Sequence, residues 1–195
     1  MDAPLTSEEH EVLLRLARQA LVETAGGGLL SALDPCQLPA RLLAEAATFV
    51  TLTRRGTLRG CIGSLQATMS LAEDVREHSR AAASEDYRFM PVTSEEVAEI
   101  EIEISILSKP RPLAFACPEE LMARLRPGVD GVILTLGLHR ATFLPQVWEK
   151  VSNADTFLSM LCEKAGLPAS TWKAPGVQVF TYQVECFHEA QAHPA

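Results

Sequence analysis

The segment Ile100-Glu101-Ile102-Glu103-Ile104-Ser105-Ile106-Leu107 constrains the fold more than any other stretch of the chain. Isoleucine alternates with glutamate or serine, so an extended backbone would carry one apolar and one polar face. A helix would scatter the same isoleucines around its circumference. The stretch therefore predicts a β-strand with one face on a core. Lys109-Pro110-Arg111-Pro112 ends it, because proline cannot donate to a sheet ladder.

A hairpin is predicted on each side of this strand. Ala46 to Thr53 reads as a strand, Arg54-Arg55-Gly56 as a turn and Leu58 to Ile62 as the returning strand. Val132 to Leu136 and Arg140 to Leu144 flank Gly137-Leu138-His139 in the same way. Helical stretches lie between. Thr6-Ser7-Glu8-Glu9 has capping-box form and opens a helix to about Thr24, stopped by Gly26-Gly27-Gly28. Residues 29–41, with Pro35 and Pro39, read as a linker or lid. Ser70-Leu71-Ala72-Glu73 opens a helix ending near Ser84, and Glu85 to Pro91 reads as an ordered loop. Cys117-Pro118-Glu119-Glu120 opens a short helix. Ser152 to Asp155 caps another, which Gly166 and Pro168 end. Val177 to Phe187 reads as one long final strand, and the tail from Glu189 should fray.

Hairpin, helical stretch and strand thus occur twice, over residues 46–107 and 131–187. This order predicts an α+β fold of two interleaved lobes on mostly antiparallel sheets with flanking helices and a cleft between them. Residues 1–190 are expected to form a single domain, with 191–195 as a frayed tail.

The formal net charge of −8, without a basic stripe, argues against nucleic-acid binding. No apolar run approaches the roughly 18–20 residues of a membrane span, and Met1-Asp2-Ala3-Pro4 lacks a signal-peptide layout. We expect a cytoplasmic protein. Cys36, Cys61, Cys117, Cys162 and Cys186 are odd in number and widely spaced, which argues against a disulfide framework or structural zinc. No cluster has metal-ligand spacing, so no metal is expected, and no cofactor is indicated.

Chemistry concentrates in Thr57-Leu58-Arg59-Gly60-Cys61-Ile62-Gly63-Ser64. By alternation Arg59 and Cys61 share one face and Leu58 and Ile62 the other. A guanidinium beside a thiol favours the thiolate, so Cys61 is a candidate nucleophile or redox centre. Gly60 and Gly63 could admit a ligand close to the backbone, or mark a bulge in a packed strand. A catalytic thiol needs a base. His78 lies on an apolar helix face and His139 at a hairpin tip, and neither forms a convincing dyad. Asp86 and Arg88, beside Glu85, could orient a polar ligand or form a loop ion pair. Gln146 could read a ligand's hydrogen-bond edge. Two readings stand: a cleft enzyme for a small polar or anionic substrate, and a non-catalytic ligand- or protein-binding module.

Leu58-Arg59-Gly60-Cys61-Ile62-Gly63-Ser64, Ser84 to Val92, Ile100 to Leu107, Phe143 to Val147, Leu161 to Pro168 and Trp172 together resemble the AMMECR domain family. Its prokaryotic members are called AmmeMemoRadiSam system protein A. The resemblance implies an α+β fold of a larger and a smaller lobe with a groove, and motif positions at Arg59, Cys61, Asp86, Arg88 and Gln146. It also implies a partnership with Memo-type and radical SAM proteins. It supplies no reaction. Tyr87 departs from the family's pattern, where proline is frequent.

Overall fold

The computed structural model describes residues 4–151 and 153–189. The chain forms α1 (Ser7–Ala25), β1 (Ala47–Arg54), β2 (Thr57–Gly63), α2 (Leu71–Ser84) and β3 (Ile100–Leu107). It continues through β4 (Arg111–Pro112), α3 (Pro118–Arg124), β5 (Gly131–Leu136), β6 (His139–Phe143), α4 (Ala154–Lys164) and β7 (Gln178–Tyr182), and closes with β8 (Val184–His188). The architecture is α+β with two antiparallel sheets. Two compact units result: the chain up to Leu107 with the part from Glu185 on, and Ser108–Val184.

In the first unit the sheet order is β2-β1-β3-β8. The isoleucine alternation works as the sequence requires. Ile100, Ile102, Ile104 and Ile106 face Leu13 and Leu21 of α1 and Leu71 and Val75 of α2 across one core. Burying a side chain of this size contributes roughly 1.5–3 kcal/mol each. The capping box forms: Thr6 Oγ1 accepts from the Glu9 N–H and Glu9 Oε2 from the Thr6 N–H. A polar cluster enters the core face at Thr48. The Thr48 hydroxyl donates to Asp74 Oδ2 at 2.6 Å, and His78 Nδ1 lies 3.1 Å from both Thr48 Oγ1 and Asp74 Oδ2. The hydroxyl gives its single hydrogen to Asp74, which leaves Nδ1 as the donor toward both oxygens. His78 is a satisfied structural histidine.

The second unit has the order β4-β7-β5-β6. Its core holds Leu121, Val132, Leu134, Phe157, Leu161 and Trp172. Trp148 stacks on Phe157 at 3.8 Å and its Nε1 donates to the Asp130 carbonyl at 2.8 Å. Asn153 caps α4, accepting from the Thr156 N–H; Ser152, where the expected cap begins, lies outside the described residues. The repeat read in the sequence is a repeat of topology. In each unit the strand after the helix pairs with the first strand of the hairpin, β3 with β1 and β7 with β5.

Two expectations require correction. Val177 to Phe187 is two strands in two sheets. The break is at Gln183, whose N–H donates to Ser108 Oγ and whose carbonyl accepts from the Ser108 N–H, both at 2.9 Å. No glycine or proline marks it, because a strand can change sheets without changing its local conformation. Glu189 does not fray. Its carboxylate accepts from Arg18 and from the Ile102 N–H, and its own N–H donates to the Ile102 carbonyl. Residues 191–195 lie outside the described residues.

Candidate functional site

The residues singled out by sequence gather on β2, an edge strand, and on the loop after α2. β2 pairs Val50 with Ile62, Thr51 with Cys61 and Leu52 with Gly60, and then Thr53 with Leu58. Arg59 is the extra residue, a β-bulge. The bulge breaks the expected alternation, so Leu58 stands opposite Thr53, on the face of Thr51 and Cys61, not with Ile62. Gly60 and Gly63 are sites of close packing. A Cβ on Gly60 would lie 2.2 Å from the Ala82 carbonyl oxygen of α2, and one on Gly63 would lie 2.3 Å from the Phe49 ring. Atoms of the chain itself fill the space beside both glycines.

Arg59 is fully engaged. Its Nε and Nη2 donate to the two Glu96 oxygens at 2.9 and 3.0 Å, and Nη1 donates to the Met90 carbonyl at 2.9 Å. Glu96 also receives Arg54 at 3.1 Å and the Thr93 N–H at 3.0 Å. These donors, Arg59 foremost, hold the Glu96 carboxyl down at about 2.

Asp86, 5% exposed, is a second hub. It accepts from Arg88 Nη2 at 2.6 Å and Nε at 2.8 Å, from the Arg88 N–H at 3.2 Å and from the Cys61 N–H at 2.9 Å. Arg88 Nη2 also donates to the Cys61 carbonyl at 3.4 Å. The outward main-chain groups of Cys61 thus find partners in a side-chain pair where another strand would otherwise dock. Arg88 first, then the two N–H donors, hold the Asp86 carboxyl well below the usual carboxylate range, and Asp86 in turn raises Arg88.

The Cys61 thiol is half-buried and accepts from the Thr51 hydroxyl at 3.3 Å. Its N–H points away from β1, so Thr51 and Cys61 form a non-hydrogen-bonded pair, the kind whose side chains approach most closely. Glu103 continues the row on β3 opposite Thr51. Cys186 lies beside Glu103 and Ser105, its thiol raised by burial and by the Glu103 carboxylate. The guanidinium that reaches the Cys61 main chain is that of Arg88, through the Cys61 carbonyl, while that of Arg59 is taken by Glu96. No histidine hydrogen-bonds to Cys61 among the described residues: His78 is held by Asp74 and Thr48, and His139 Nδ1 by the Ala165 carbonyl in the second unit. Among the described residues no group of three or more His, Cys, Asp or Glu could hold a metal ion, and no helix is long and apolar enough to cross a membrane.

The first unit therefore brings together Arg59, Gly60, Cys61, Gly63, Asp86 and Arg88. Gln146 belongs to the second unit, exposed on the 3-10 turn Pro145–Glu149. Sequence reasoning missed Glu96, and Thr51, whose partnership depends on the bulge. It also missed Phe89, whose ring centroid lies 6.0 Å from the Arg59 guanidinium and 5.5 Å from that of Arg88. The loop so held turns two large side chains outward, Tyr87 at 95% exposed and Met90 at 81%.

Comparison with known proteins places this geometry among relatives. The family model described as AMMECR1 matches residues 14–187. A protein of Methanothermobacter thermautotrophicus is 38% identical over 96% of this chain and 97% of its own length. Protein MK0488 of Methanopyrus kandleri is 35% identical over 98% of this chain and 93% of its own. The crystal structure of the uncharacterized protein PH0010 from Pyrococcus horikoshii superposes with a TM-score of 0.82 at 33% identity, covering 95% of this chain and 93% of that one.

Proposed function

The chain belongs to the AMMECR1 family, and we propose that it acts there as a protein-docking module whose recognition surface is the 85–91 loop braced on β2. One observation carries the reading: the loop is pinned by Asp86 and by Arg59 while Tyr87 and Met90 are turned outward. Tyrosine, methionine and arginine are enriched at protein interfaces. A loop already fixed loses little entropy when a partner binds it. Arg88, its side chain 44% exposed, adds a cation to the same loop. The partner class that the sequence resemblance implies is a Memo-type or radical SAM protein. A cytoplasmic setting belongs to the same proposal, since a reducing compartment keeps thiols free and all five cysteines are unpaired.

The test is binding to Memo-type and radical SAM proteins of the same organism, measured by calorimetry. Tyr87→Ala with Met90→Ala is expected to weaken binding about tenfold or more and to leave the melting temperature unchanged. Binding that survives the double substitution removes the loop from the interface.

A second reading has its own observation. Cys61 is a half-buried thiol that accepts from the Thr51 hydroxyl, and Arg88 reaches the carbonyl of the same residue, an arrangement open to a reactive cysteine acting on a small polar or anionic ligand. Arg59 and Asp86 would then shape the site through the protein rather than touch that ligand, since their hydrogen bonds go to protein groups. Thiol-modification rates against pH, referenced to Cys61→Ala, decide it: a midpoint at the ordinary thiol value of about 8.5 removes the reading.

A further inference from the structure

We propose that Arg76 is an oxyanion site closed in this structure by a strap, residues 26–32, that Ser31 holds down. The proposal concerns a surface of the first unit separate from the 85–91 loop. Arg76 projects from α2 and is 7% exposed. Its Nη2 donates to the Ser31 carbonyl, while its buried Nε has no hydrogen-bond partner. Among the described residues no carboxylate lies within ion-pair distance of it; Glu23 acts on it only through space.

Four other arginines show what this side-on edge is built to hold. Arg18, Arg59, Arg88 and Arg126 each place Nε and Nη2 on the two oxygens of a single carboxylate, that of Glu189, Glu96, Asp86 and Asp130 respectively. Arg76 offers the same two-nitrogen fork and receives one carbonyl oxygen. A buried guanidinium without a counter-charge costs several kcal/mol. A carboxylate or phosphate would fill both nitrogens and supply the missing charge.

The strap explains how such a site is kept closed. Ser31 is its anchor: the N–H donates to Glu23 Oε2 at 3.0 Å, the hydroxyl donates to Glu23 Oε1 at 2.5 Å, and the carbonyl takes Arg76. Residues 26–29 are mostly exposed and begin at a glycine run in which Gly27 has φ +74°, a backbone turn that glycine adopts without strain. Lifting Ser31 frees Nη2 and moves the strap from the fork. An arriving oxyanion takes the place of the Ser31 carbonyl, and its charge opposes Glu23, so strap closure and anion binding exclude one another.

The experiment uses the full chain, with Glu23→Ala to remove two anchors and Arg76→Lys to keep the charge while removing the fork. Hydrogen exchange over residues 27–34 is followed, and inorganic phosphate and acetate are titrated in parallel at constant ionic strength. Glu23→Ala is expected to speed exchange in the strap about tenfold and to tighten anion binding by a similar factor, with α1 and α2 unaffected. Arg76→Lys in that background is expected to abolish the gain. Phosphate-only, acetate-only or shared binding each supports the site and identifies its oxyanion. Strap exchange unmoved by Glu23→Ala, no anion binding in either variant, or binding that survives Arg76→Lys overturns it.

Discussion

Gly60 shows how a residue type can mark a close approach to the backbone without naming what approaches. Its cost in a strand is visible in the sequence, and so is the inference that something comes close to the backbone. What comes close is the Ala82 carbonyl of α2, and only the packing of helix on sheet reveals it. Gly60→Ala must push β2 and α2 apart, because a carbonyl 2.2 Å from the new Cβ is backbone and cannot rotate away. A loss of about 1–3 kcal/mol is expected, read as a lower urea midpoint at unchanged slope. Unchanged stability would mean that the strand and helix are not in backbone contact. Thr51 was hidden for a related reason. Counting back from the turn, where Arg54 faces Thr57, puts Gly60 opposite Thr51; the extra residue at Arg59 moves Cys61 there instead. A bulge leaves no mark in apolar periodicity, so the thiol's hydrogen-bond partner was out of reach of the sequence.

At the level of elements, two carboxylates fix the 85–91 loop on its edge strand: Asp86 accepts from the Cys61 N–H, and Glu96 holds Arg59, which donates to the Met90 carbonyl. Both carboxyls have a lowered pKa in the folded state, so the sign of the pH effect follows. A carboxyl lowered in the folded state stabilises fully above its ordinary value and loses that contribution as pH falls through the folded one. For Glu96 the window runs from 4.5 down to about 2, and Asp86 acts in the same direction. Glu96→Gln is therefore expected to flatten the acid limb of a stability–pH profile between those limits and to change little near neutrality beyond a constant offset. A profile parallel to that of the parent protein would sink the assignment. Asp86→Asn tests the clamp itself: it halves the charge-assisted acceptors facing Arg88 and is expected to cost about 2 kcal/mol. It should also speed amide exchange at Cys61, the N–H that Asp86 receives. The loop's existence and its ordered character were legible from its mixture of charges and aromatics. Its docking onto β2 was not, since the contact joins residues 25 and more positions apart.

For the whole molecule, the sequence announced two runs of hairpin, helix and strand, and the two sheets bear that out. The hidden fact is where the last strand goes. β8 follows the second unit in the chain and completes the sheet of the first. The consequence is an asymmetry between the units. The second holds its four strands and its core within Ser108–Val184. The first, cut at Leu107, would lose Phe187 from its core and the partners of three N-terminal groups. Those are Glu185 for the Leu5 N–H and for His10, and Glu189 for Arg18. It would also expose β3 as a new edge, and β3 is apolar on one face and eight residues long, the kind of edge that aggregates. A fragment spanning residues 108–184 is thus expected to melt cooperatively on its own, whereas 1–107 should give a broad, non-cooperative transition or precipitate. Joining 184–189 to the end of 1–107 through a flexible Gly/Ser linker supplies the missing strand as a neighbour in sequence, and cooperative melting should return. If the unlinked 1–107 fragment melts as sharply as the linked one, β8 contributes no more than an edge covering, and the first unit's core is complete without it.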